Sequence, residues 1–463
     1  MVKSTIFREY DIRGIADEDL TDDNVTEIGK GIGTFLQQAG ARKLVIGRDV
    51  RLTSDRIRNA LVDGLTSTGL DIIDVGVCLT PMQYFGIHHF DADGGVMITG
   101  SHNPIEYNGL KISKKGVAPV YGEQIQTIKE IVTGRHYATG SGQVSQENIF
   151  PEYIDMIKSK LTFPKKLKVV VDAGNGTAGL LAPQLWRDLG CDVIELYCEP
   201  DGTFPNHLPD PTVPKYVVDL QQKVLENAAD LGIGYDGDTD RVGAIDEKGR
   251  MIFADKLMGI LSQEILARHP GAEIVFDVKC SQALPEVIQK YGGKPFMWKT
   301  GHSLLKAKMK EVHAPLAGEM SGHIFYSDDF YGFDDAIYVS GRLMQILSNS
   351  SKTFSEIADE IPAFESTPEI RIDASDEEKF EVVADLAKHF KAEYDTIDID
   401  GVRVLFGDGW GLVRASNTQP VLVLRFEAKS RERLREIIQI FIRKLNDYPS
   451  VKFSTEDFFP VNS

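Results

Sequence analysis

The fold is decided by three apolar, β-branched stretches: Leu44-Val-Ile-Gly-Arg-Asp49, Lys168-Val-Val-Val-Asp-Ala-Gly174 and Ile274-Val-Phe-Asp-Val278. Each is followed by a second apolar stretch, namely Gly95-Val-Met-Ile-Thr-Gly-Ser101, Leu231-Gly-Ile-Gly-Tyr-Asp-Gly237 and Ala314-Pro-Leu-Ala-Gly-Glu319. Continuous apolar runs are typical of strands that are buried on both faces of a sheet. The starts of paired stretches lie about 40 to 63 residues apart, which suits a strand–helix–strand crossover. The sequence therefore predicts an internally triplicated α/β unit with parallel strands.

The segments around these stretches predict where the domains begin and end. Apolar residues at helical spacing predict crossover helices over 124–132 and 255–268. The tail differs, because helical patterns over 377–389 and 430–445 flank strand patterns over 402–406 and 421–428. We expect domains at 1–148, 149–250, 251–363 and 364–463: three similar α/β domains with mixed, largely parallel sheets, and a C-terminal α+β domain.

The composition and net charge of the chain argue against some classes of binding partner. The 463 residues are 42% hydrophobic and 26% charged, as in an ordinary globular protein. The net charge of −18 disfavours nucleic acid and anionic membranes, although a locally basic cleft could still bind a small anion. The four cysteines form no C-x-x-C pair, which predicts buried thiols rather than disulfides or a zinc site. The N-terminus lacks an apolar leader and no run of 18 apolar residues occurs, so we expect a cytoplasmic protein.

The first loop with chemical potential is Thr99-Gly-Ser101-His102-Asn103-Pro104, which follows an apolar strand. A serine at the end of a strand can present its hydroxyl to a cleft, where it could attack phosphorus or carry a phosphate. His102 could polarise that hydroxyl. The alternative is a plain turn, since Gly, Ser, Asn and Pro are all turn residues.

The second loop, Asp236-Gly-Asp238-Thr-Asp240-Arg241, places three acids at alternate positions. Their oxygens could surround one hard cation, and magnesium suits a phosphoryl reaction because it leaves positions for phosphate oxygens. An EF-hand is a rival interpretation, but its sixth position requires Gly and is Arg241 here. A solvated acidic turn is the other alternative, although three close acids repel one another without a cation.

Two further loops could read a sugar phosphate. Glu319, Ser321 and His323 alternate, so on an extended segment they would point the same way and could bind neighbouring sugar hydroxyls. A glycosidase would need a second carboxylate, and none is evidently paired with Glu319. Arg414-Ala-Ser416-Asn417-Thr418-Gln419-Pro420 offers a cation, hydroxyls and an amide, which could cradle a phosphate. Each could instead be a surface turn or a hairpin loop.

Together, these four loops resemble those of the α-D-phosphohexomutases, a resemblance that covers essentially the whole chain in order. The motifs T-G-S-H-N-P, D-G-D-x-D-R, G-E-M-S-G-H and R-x-S-N-T-x-P are highly specific in combination. The resemblance is closest to the bacterial enzymes that act on both mannose and glucose phosphates. It implies four domains around one central cleft and an isomerase of carbohydrate metabolism that interconverts hexose 1-phosphates and hexose 6-phosphates.

The resemblance also implies roles for individual residues. Ser101 looks like the phosphoserine, and Mg²⁺ would be bound by Asp236, Asp238 and Asp240 together with the serine phosphate. Glu319, Ser321 and His323 resemble the residues that read the sugar hydroxyls. Arg414, Ser416, Asn417 and Thr418 resemble the clamp on the phosphate that does not react. Other residues match cleft positions of the family: Tyr10, Arg13, His102, Lys111, Arg241, Lys279 and His302.

The implied reaction passes through a hexose 1,6-bisphosphate, which would also act as activator. Either Lys111 or His302 could take the proton of the attacking hydroxyl. The fourth domain could move about a hinge near residues 362–368 to release and recapture the intermediate. Alternatives are a phosphoglucosamine mutase, a glucose-only phosphoglucomutase, a metal-dependent phosphatase and a non-catalytic sugar-phosphate-binding protein. We expect sugar phosphates as the partners, no nucleic acid or membrane, and a monomer.

Overall fold

The computed structural model describes residues 2–416 and 419–459. Four β-sheets follow one another along the chain, with seven, five, four and six strands. Helices pack on the sheets, and in the described ranges no helix is long and apolar enough to cross a membrane. All four cysteines are buried free thiols, as the sequence predicts.

The first sheet holds the strands that precede and follow the serine loop. Its strand order is β1-β5-β4-β2-β3-β7, and β6 pairs with β5. The elements are β1 (Ile12–Ile15), α1 (Asp22–Gln38), β2 (Lys43–Arg48), α2 (Ser54–Ser67), β3 (Asp71–Val77), α3 (Thr80–His89), β4 (Gly94–Ile98), β5 (Tyr107–Lys114), β6 (Ala118–Pro119), α4 (Glu123–Gly134) and β7 (Val144–Gln146).

The second sheet has the order β12-β11-β10-β8-β9 and carries the acidic loop between two adjacent strands. Its last strand ends two residues beyond the expected boundary at 250. The elements are α5 (Phe150–Lys160), β8 (Lys168–Asp172), α6 (Ala182–Asp188), β9 (Asp192–Leu196), α7 (Val218–Glu226), β10 (Leu231–Tyr235), β11 (Val242–Asp246) and β12 (Met251–Ile252).

The third sheet has the order β14-β13-β15-β16. Its elements are α8 (Ala254–Arg268), β13 (Glu273–Asp277), α9 (Ala283–Lys290), β14 (Lys294–Trp298), α10 (His302–Val312), β15 (Leu316–Gly318), β16 (Ile324–Tyr326), α11 (Ala336–Ser348) and α12 (Phe354–Ala358).

The three sheets contain the same four-stranded arrangement, which confirms the predicted triplication. The strand orders β3-β2-β4-β5, β9-β8-β10-β11 and β14-β13-β15-β16 are equivalent, with the last strand antiparallel in each. The paired apolar stretches are indeed parallel neighbours: β2 with β4, β8 with β10, and β13 with β15. Ser101, Asp236 and Glu319 each follow the equivalent third strand of their unit.

The C-terminal part is a six-stranded sheet in which antiparallel pairs join every neighbour, flanked by two long helices. The predicted helices and strands of the tail are present, and the structure adds four strands that the sequence patterns did not predict: Glu365–Ser366, Ile370–Asp373, Asp395–Ile397 and Gly409–Ala415. The elements are β17 (Glu365–Ser366), β18 (Ile370–Asp373), α13 (Lys379–Lys391), β19 (Asp395–Ile397), β20 (Val402–Leu405), β21 (Gly409–Ala415), β22 (Val421–Ala428), α14 (Arg431–Leu445) and α15 (Thr455–Phe458).

The apolar cores show which parts are joined firmly. One continuous cluster of buried side chains runs from Val45 in the first unit to Ile361 at the end of the third. Among the described residues, the C-terminal domain has its own core, and a small cluster built on Val278, Trp410 and Leu412 joins it to the third unit. Burying one large apolar side chain contributes about 1.5–3 kcal/mol. Apolar packing therefore holds the first three units to one another more strongly than it holds the fourth domain to them.

Candidate active site

The serine loop is held in a strained conformation by its neighbours. Ser101 has a φ of 48°, in the left-handed region that costs most residues about 1–2 kcal/mol. Its backbone N–H donates to Thr99 Oγ1 at 2.8 Å, and the N–H of Gly100 donates to Asp49 Oδ2 at 3.0 Å. Strain of this kind persists only where the surroundings over-determine it, and it concentrates at functional sites.

Arg51 holds the same loop in place from the side of the first domain's core, although no sequence motif marks this residue. Its buried guanidinium donates to the carbonyl oxygens of Ser101, Asn103, Pro104 and Tyr107 at 2.6–2.9 Å. A Cβ on Gly100 would lie 2.3 Å from Arg51 Nε, so only glycine fits there. The Arg51 side chain therefore sets the path of the loop that presents the serine.

The Ser101 side chain faces the acidic loop of the second unit. Its Oγ donates to Asp236 Oδ2 at 2.9 Å and lies 3.1 Å from His102 Nδ1. A Cβ on Gly237 would come within 2.5 Å of the Ser101 carbonyl oxygen, so this glycine permits the approach of the two loops. Burial, with Arg241 and Arg13 nearby, lowers the pKa of His102 well below its ordinary value and keeps the ring neutral.

The acidic loop connects β10 to β11 and buries all three of its carboxylates. Asp236 Oδ1 accepts from the backbone N–H groups of Asp240 and Arg241, at 3.0 and 3.1 Å. Thr239 has a φ of 66°, and its hydroxyl lies 2.7 Å from the hydroxyl of Thr177. The Thr239 side chain is thus engaged outside the group of carboxylates.

A buried lysine offsets part of the negative charge of this loop. Lys111 Nζ donates to Asp238 Oδ2 at 2.7 Å and to Asp240 Oδ2 at 2.5 Å. Burial disfavours the ammonium, but the two carboxylates outweigh it and raise the pKa of Lys111 well above its ordinary value. Burial and the charges of Asp240 and Asp238 raise the pKa of Asp236 well above its ordinary range.

The three acids fit a hard divalent cation. One oxygen of each lies within 4.8 Å of the others. Asp238 Oδ1 and Asp240 Oδ1 are buried and accept no hydrogen bond from any residue that the structure describes. Buried carboxylate oxygens are rarely left without a partner, and an oxygen-only donor set is the one that Mg²⁺ prefers.

A second polar chain links the second and third units at the cleft. Arg241 Nε donates to His323 Nε2 at 2.9 Å, so Nε2 carries no proton. The other ring nitrogen, Nδ1, lies 2.9 Å from Asp334 Oδ2, and Lys306 Nζ donates to Asp334 Oδ1 at 3.0 Å. The His302 ring lies 5.2 Å from the His323 ring in a stacked arrangement. Neither Asp334 nor Lys306 was singled out from the sequence.

The loop with Glu319, Ser321 and His323 is a tight hairpin, which is the turn alternative of the sequence analysis and not the extended segment. Glu319 N–H donates to the His323 carbonyl, and Gly322 N–H donates to the Glu319 carbonyl. Gly322 has a φ of 93°, which closes the turn between β15 and β16. Ser321 Oγ donates to Glu319 Oε2 at 3.0 Å, while His323 turns to Arg241. All three side chains still lie at the cleft, but on two sides of a turn.

The fourth domain brings its cations to the same cleft. Arg414 lies on β21 rather than in the loop, and its Nε donates to Asp400 Oδ2 at 2.9 Å. Ser416 is buried, and Asn417 and Thr418 lie outside the described residues. Lys279 Nζ donates to Glu369 Oε2 at 3.0 Å across the junction of the third and fourth domains.

The remaining predicted residues lie beside the serine loop or the third domain. Tyr10 OH donates to the Thr300 carbonyl at 2.9 Å, and Arg13 Nη1 donates to the Gly100 carbonyl at 3.0 Å. Burial and the charge of Lys306 lower the pKa of His302 well below its ordinary value, so its ring is neutral. Its Nδ1 makes no hydrogen bond with the described residues.

The geometry unites a strained serine, three buried acids and several cations contributed by four domains, which is the arrangement of a phosphohexomutase. Comparison with known families agrees. Successive parts of the chain match the phosphoglucomutase/phosphomannomutase domains: α/β/α domain I at 4–138, domain II at 151–249, domain III at 253–364 and the C-terminal domain at 369–444. The chain belongs to the phosphoglucomutase/phosphomannomutase family, which confirms the predicted family, fold class and enzyme class.

Individual relatives match nearly the whole chain. A phosphomannomutase/phosphoglucomutase of Pseudomonas aeruginosa is 46% identical over 96% of both chains. A phosphoglucomutase of Neisseria meningitidis is 41% identical over 96% of this chain and 98% of its own. A crystal structure of a family protein from Burkholderia thailandensis superposes with a TM-score of 0.90, at 39% identity over 96% of this chain and 98% of its own.

Proposed function

We propose that this enzyme interconverts the 1-phosphates and 6-phosphates of mannose and glucose through a phosphorylated Ser101 and a hexose 1,6-bisphosphate. The observation that carries the proposal is the hydrogen bond between Ser101 Oγ of the first domain and Asp236 Oδ2 of the second. A phosphate on Ser101 would lie beside three buried acids, an arrangement that a divalent cation stabilises.

The reaction then has two matched half-reactions. The bond between phosphorus and Ser101 Oγ breaks while a bond from phosphorus to the free hydroxyl of the hexose monophosphate forms. That hydroxyl gives its proton to a general base, and Ser101 Oγ ends the step as a protonated hydroxyl. The bisphosphate turns over in the cleft and returns its other phosphoryl group to Ser101, which releases the isomer. Arg241, Lys111 and Arg13 supply positive charge next to the transferring group.

Lys111 is better suited to supply charge than to accept a proton, because Asp238 and Asp240 hold its ammonium charged. This favours His302 over Lys111 as the general base. His302 is neutral, and its Nδ1 makes no hydrogen bond with the described residues. We therefore assign proton transfer to the His302 imidazole.

Asp236, Asp238 and Asp240, with the serine phosphate, would hold Mg²⁺. When bound there, the ion would neutralise phosphate oxygens and lower the charge repulsion at the serine. Without it, the chain itself orients the serine through Arg51 and excludes water by burying the three acids. Manganese or another oxygen-preferring ion would fit the same donors.

Substrate binding is assigned to the other loops. Glu319, Ser321 and His323 would read the sugar hydroxyls, and Tyr10, Lys279, Arg414, Ser416, Asn417 and Thr418 would bind the distal phosphate. Since relatives named for both sugars and a relative named for glucose alone match the chain, mannose and glucose activity must be compared directly. A glucose-only enzyme is the second candidate.

The decisive assay follows conversion of mannose 1-phosphate and glucose 1-phosphate side by side, with Mg²⁺ and glucose 1,6-bisphosphate present. We expect both 6-phosphates to form, with no release of inorganic phosphate. Release of phosphate without isomer would indicate a phosphatase. If glucosamine 1-phosphate, tested in the same assay, is converted faster than mannose 1-phosphate and glucose 1-phosphate, the enzyme would be a phosphoglucosamine mutase. A monomer, a cytoplasmic location and boundaries near 148, 250 and 363 remain predictions.

A further inference from the structure

Thr300 uses both of its backbone polar groups to join the third domain to two others. Its carbonyl oxygen accepts from Tyr10 OH of the first domain at 2.9 Å. Its N–H donates to Asp400 Oδ2 of the fourth domain at 3.0 Å. Its hydroxyl donates to Asp277 Oδ2 within the third domain at 3.1 Å. Three domains thus meet on one residue that the sequence motifs do not single out.

Asp400 is the fourth domain's part of this junction. The same Oδ2 that accepts from Thr300 N–H also accepts from Arg414 Nε at 2.9 Å. Both side chains are largely buried, with 15% of Asp400 and 7% of Arg414 exposed, and hydrogen bonds to ions strengthen away from water. One carboxylate oxygen therefore ties the orientation of the arginine to the position of the Thr300 backbone.

The junction continues into the sugar-reading loop through the next residue. Gly301 N–H donates to Glu319 Oε1, and Glu319 Oε2 accepts from Ser321 Oγ. Gly301 has a φ of 133°, and a Cβ there would lie 2.6 Å from the Tyr10 ring, so this backbone has little freedom to shift. A displacement of Thr300 would consequently move the partner of Glu319.

We propose that Asp400 is a positioning residue that couples Arg414 to Glu319 through the Thr300–Gly301 backbone. The proposal rests on the proposed roles of Arg414 in phosphate binding and of Glu319 in sugar binding. When Arg414 binds a phosphate, its contact with Asp400 keeps the carboxylate hydrogen-bonded to Thr300 N–H. The position of Thr300 in turn keeps Gly301 N–H hydrogen-bonded to Glu319. The two ends of a sugar phosphate are thereby read by one connected set of hydrogen bonds.

Loss of Asp400 leaves the domain junction otherwise in place. Arg403 donates to the carbonyl oxygens of Val278 and Cys280 at 2.8 Å, and Lys279 pairs with Glu369. Asp398, two residues away on the same loop, is exposed and pairs with Lys391 at 3.0 Å. The variant D398A is therefore a matched control that removes a carboxylate from the same loop without touching Thr300.

The test compares wild type, D398A, D400A, R414A and the double variant D400A/R414A, using glucose 1-phosphate with Mg²⁺ and glucose 1,6-bisphosphate. We expect D400A to raise KM about tenfold, the effect of losing one hydrogen bond to a charged group, with a smaller change in kcat. The double variant should lose less than the product of the two single effects, because Asp400 and Arg414 belong to one connected set of hydrogen bonds. D398A should match wild type.

Hydrogen–deuterium exchange gives a readout that does not depend on turnover. Backbone amides 300 and 301 should exchange faster in D400A than in wild type or D398A, with protection elsewhere in the fourth domain retained. Unchanged KM and exchange in D400A, or effects that multiply in the double variant, would overturn the coupling while leaving the proposed function standing. Loss of protection throughout the fourth domain would make Asp400 a folding residue and overturn the inference. A wild-type enzyme without mutase activity would overturn the proposed function first and this inference with it.

Discussion

Ser101 Oγ donates a hydrogen bond of 2.9 Å to Asp236 Oδ2, although the two residues belong to different domains. The contact is possible because Gly237 lets the second domain approach the Ser101 backbone and because Arg51 holds the serine loop from the other side. A hydroxyl and a trio of buried acids are thereby fixed relative to each other before any substrate binds. Such preorganisation is what phosphoryl transfer requires of a protein.

A bound metal ion should replace part of the positive charge that Lys111 places beside Asp238 and Asp240. In Lys111→Met, Asp238 and Asp240 lose their buried partner, and breaking such a pair costs about 3–5 kcal/mol. In the presence of a chelator, Lys111→Met should unfold at a lower temperature than wild type. Adding Mg²⁺ should raise the unfolding temperature of the variant more than that of wild type. The control Lys115→Met removes an exposed lysine of the same domain and should leave both values unchanged. An equal response of Lys111→Met and wild type to Mg²⁺ would contradict the charge role.

Arg51 should matter for rate rather than for substrate affinity. Arg51→Lys keeps the charge but cannot span the four carbonyl oxygens that the guanidinium binds, so the serine loop should relax. We expect kcat to fall by about tenfold or more, with KM for glucose 1-phosphate changed less. The exposed Arg42 provides the control, since Arg42→Lys should behave as wild type. A normal kcat in Arg51→Lys would show that the loop keeps its path without the guanidinium.

Arg414 should contribute to binding through its charge. Arg414→Ala removes a charged hydrogen-bond donor worth about 1.5–3 kcal/mol, which corresponds to about a ten- to hundredfold rise in KM. The exposed Arg431, also in the fourth domain, supplies the control variant Arg431→Ala. Steady-state kinetics with glucose 1-phosphate decides the question, and an unaltered KM in Arg414→Ala removes the clamp assignment.

Asp335 should give the stability of the protein a recognisable pH dependence. Burial raises its pKa to about 7, although Tyr338 N–H and Tyr153 OH donate to it. Between the ordinary value of 3.8 and about 7, the folded protein holds a proton that the unfolded chain has lost. This group's contribution therefore makes the folded state less stable as pH rises through that window, by a few kcal/mol in order of magnitude, and levels off above it.

The variant Asp335→Asn isolates this contribution, because its side chain does not titrate. Denaturant unfolding of wild type and variant at pH 5 and pH 8 should show the variant gaining stability relative to wild type at the higher pH. Lysine and carboxylate groups elsewhere titrate equally in both proteins, so they cancel in the comparison. A difference between the two proteins that is the same at both pH values would contradict the raised pKa.

The sequence predicted the elements that depend on local patterns. The parallel pairs β2–β4, β8–β10 and β13–β15 follow from continuous apolar runs, and the serine and acidic loops follow from polar residues placed at the ends of those strands. It left the Glu319–His323 loop open between an extended segment and a turn, because alternation of polar residues suits both, and the positive φ of Gly322 belongs to the turn.

The sequence patterns did not identify residues whose roles depend on backbone groups far away in the chain. Arg51 binds carbonyl oxygens some fifty positions further along the chain, and Asp400 binds the N–H of Thr300. Neither residue carries a motif of its own, although Asp49-Val-Arg51 at the end of β2 was a usable signal: an acid and a cation directly after a buried strand. Thr239 has a φ of 66°, a conformation that glycine adopts at a lower cost than threonine.

The central claim is that Ser101 carries the transferred phosphoryl group, and one measurement tests it directly. The enzyme is incubated with glucose 1,6-bisphosphate labelled in both phosphates, quenched, and mapped by peptide, then chased with unlabelled glucose 1-phosphate. The account predicts label on Ser101 alone, none in Ser101→Ala, and transfer of the label to sugar bisphosphate at least as fast as kcat. Label on another residue, no label, or a chase slower than turnover would contradict it.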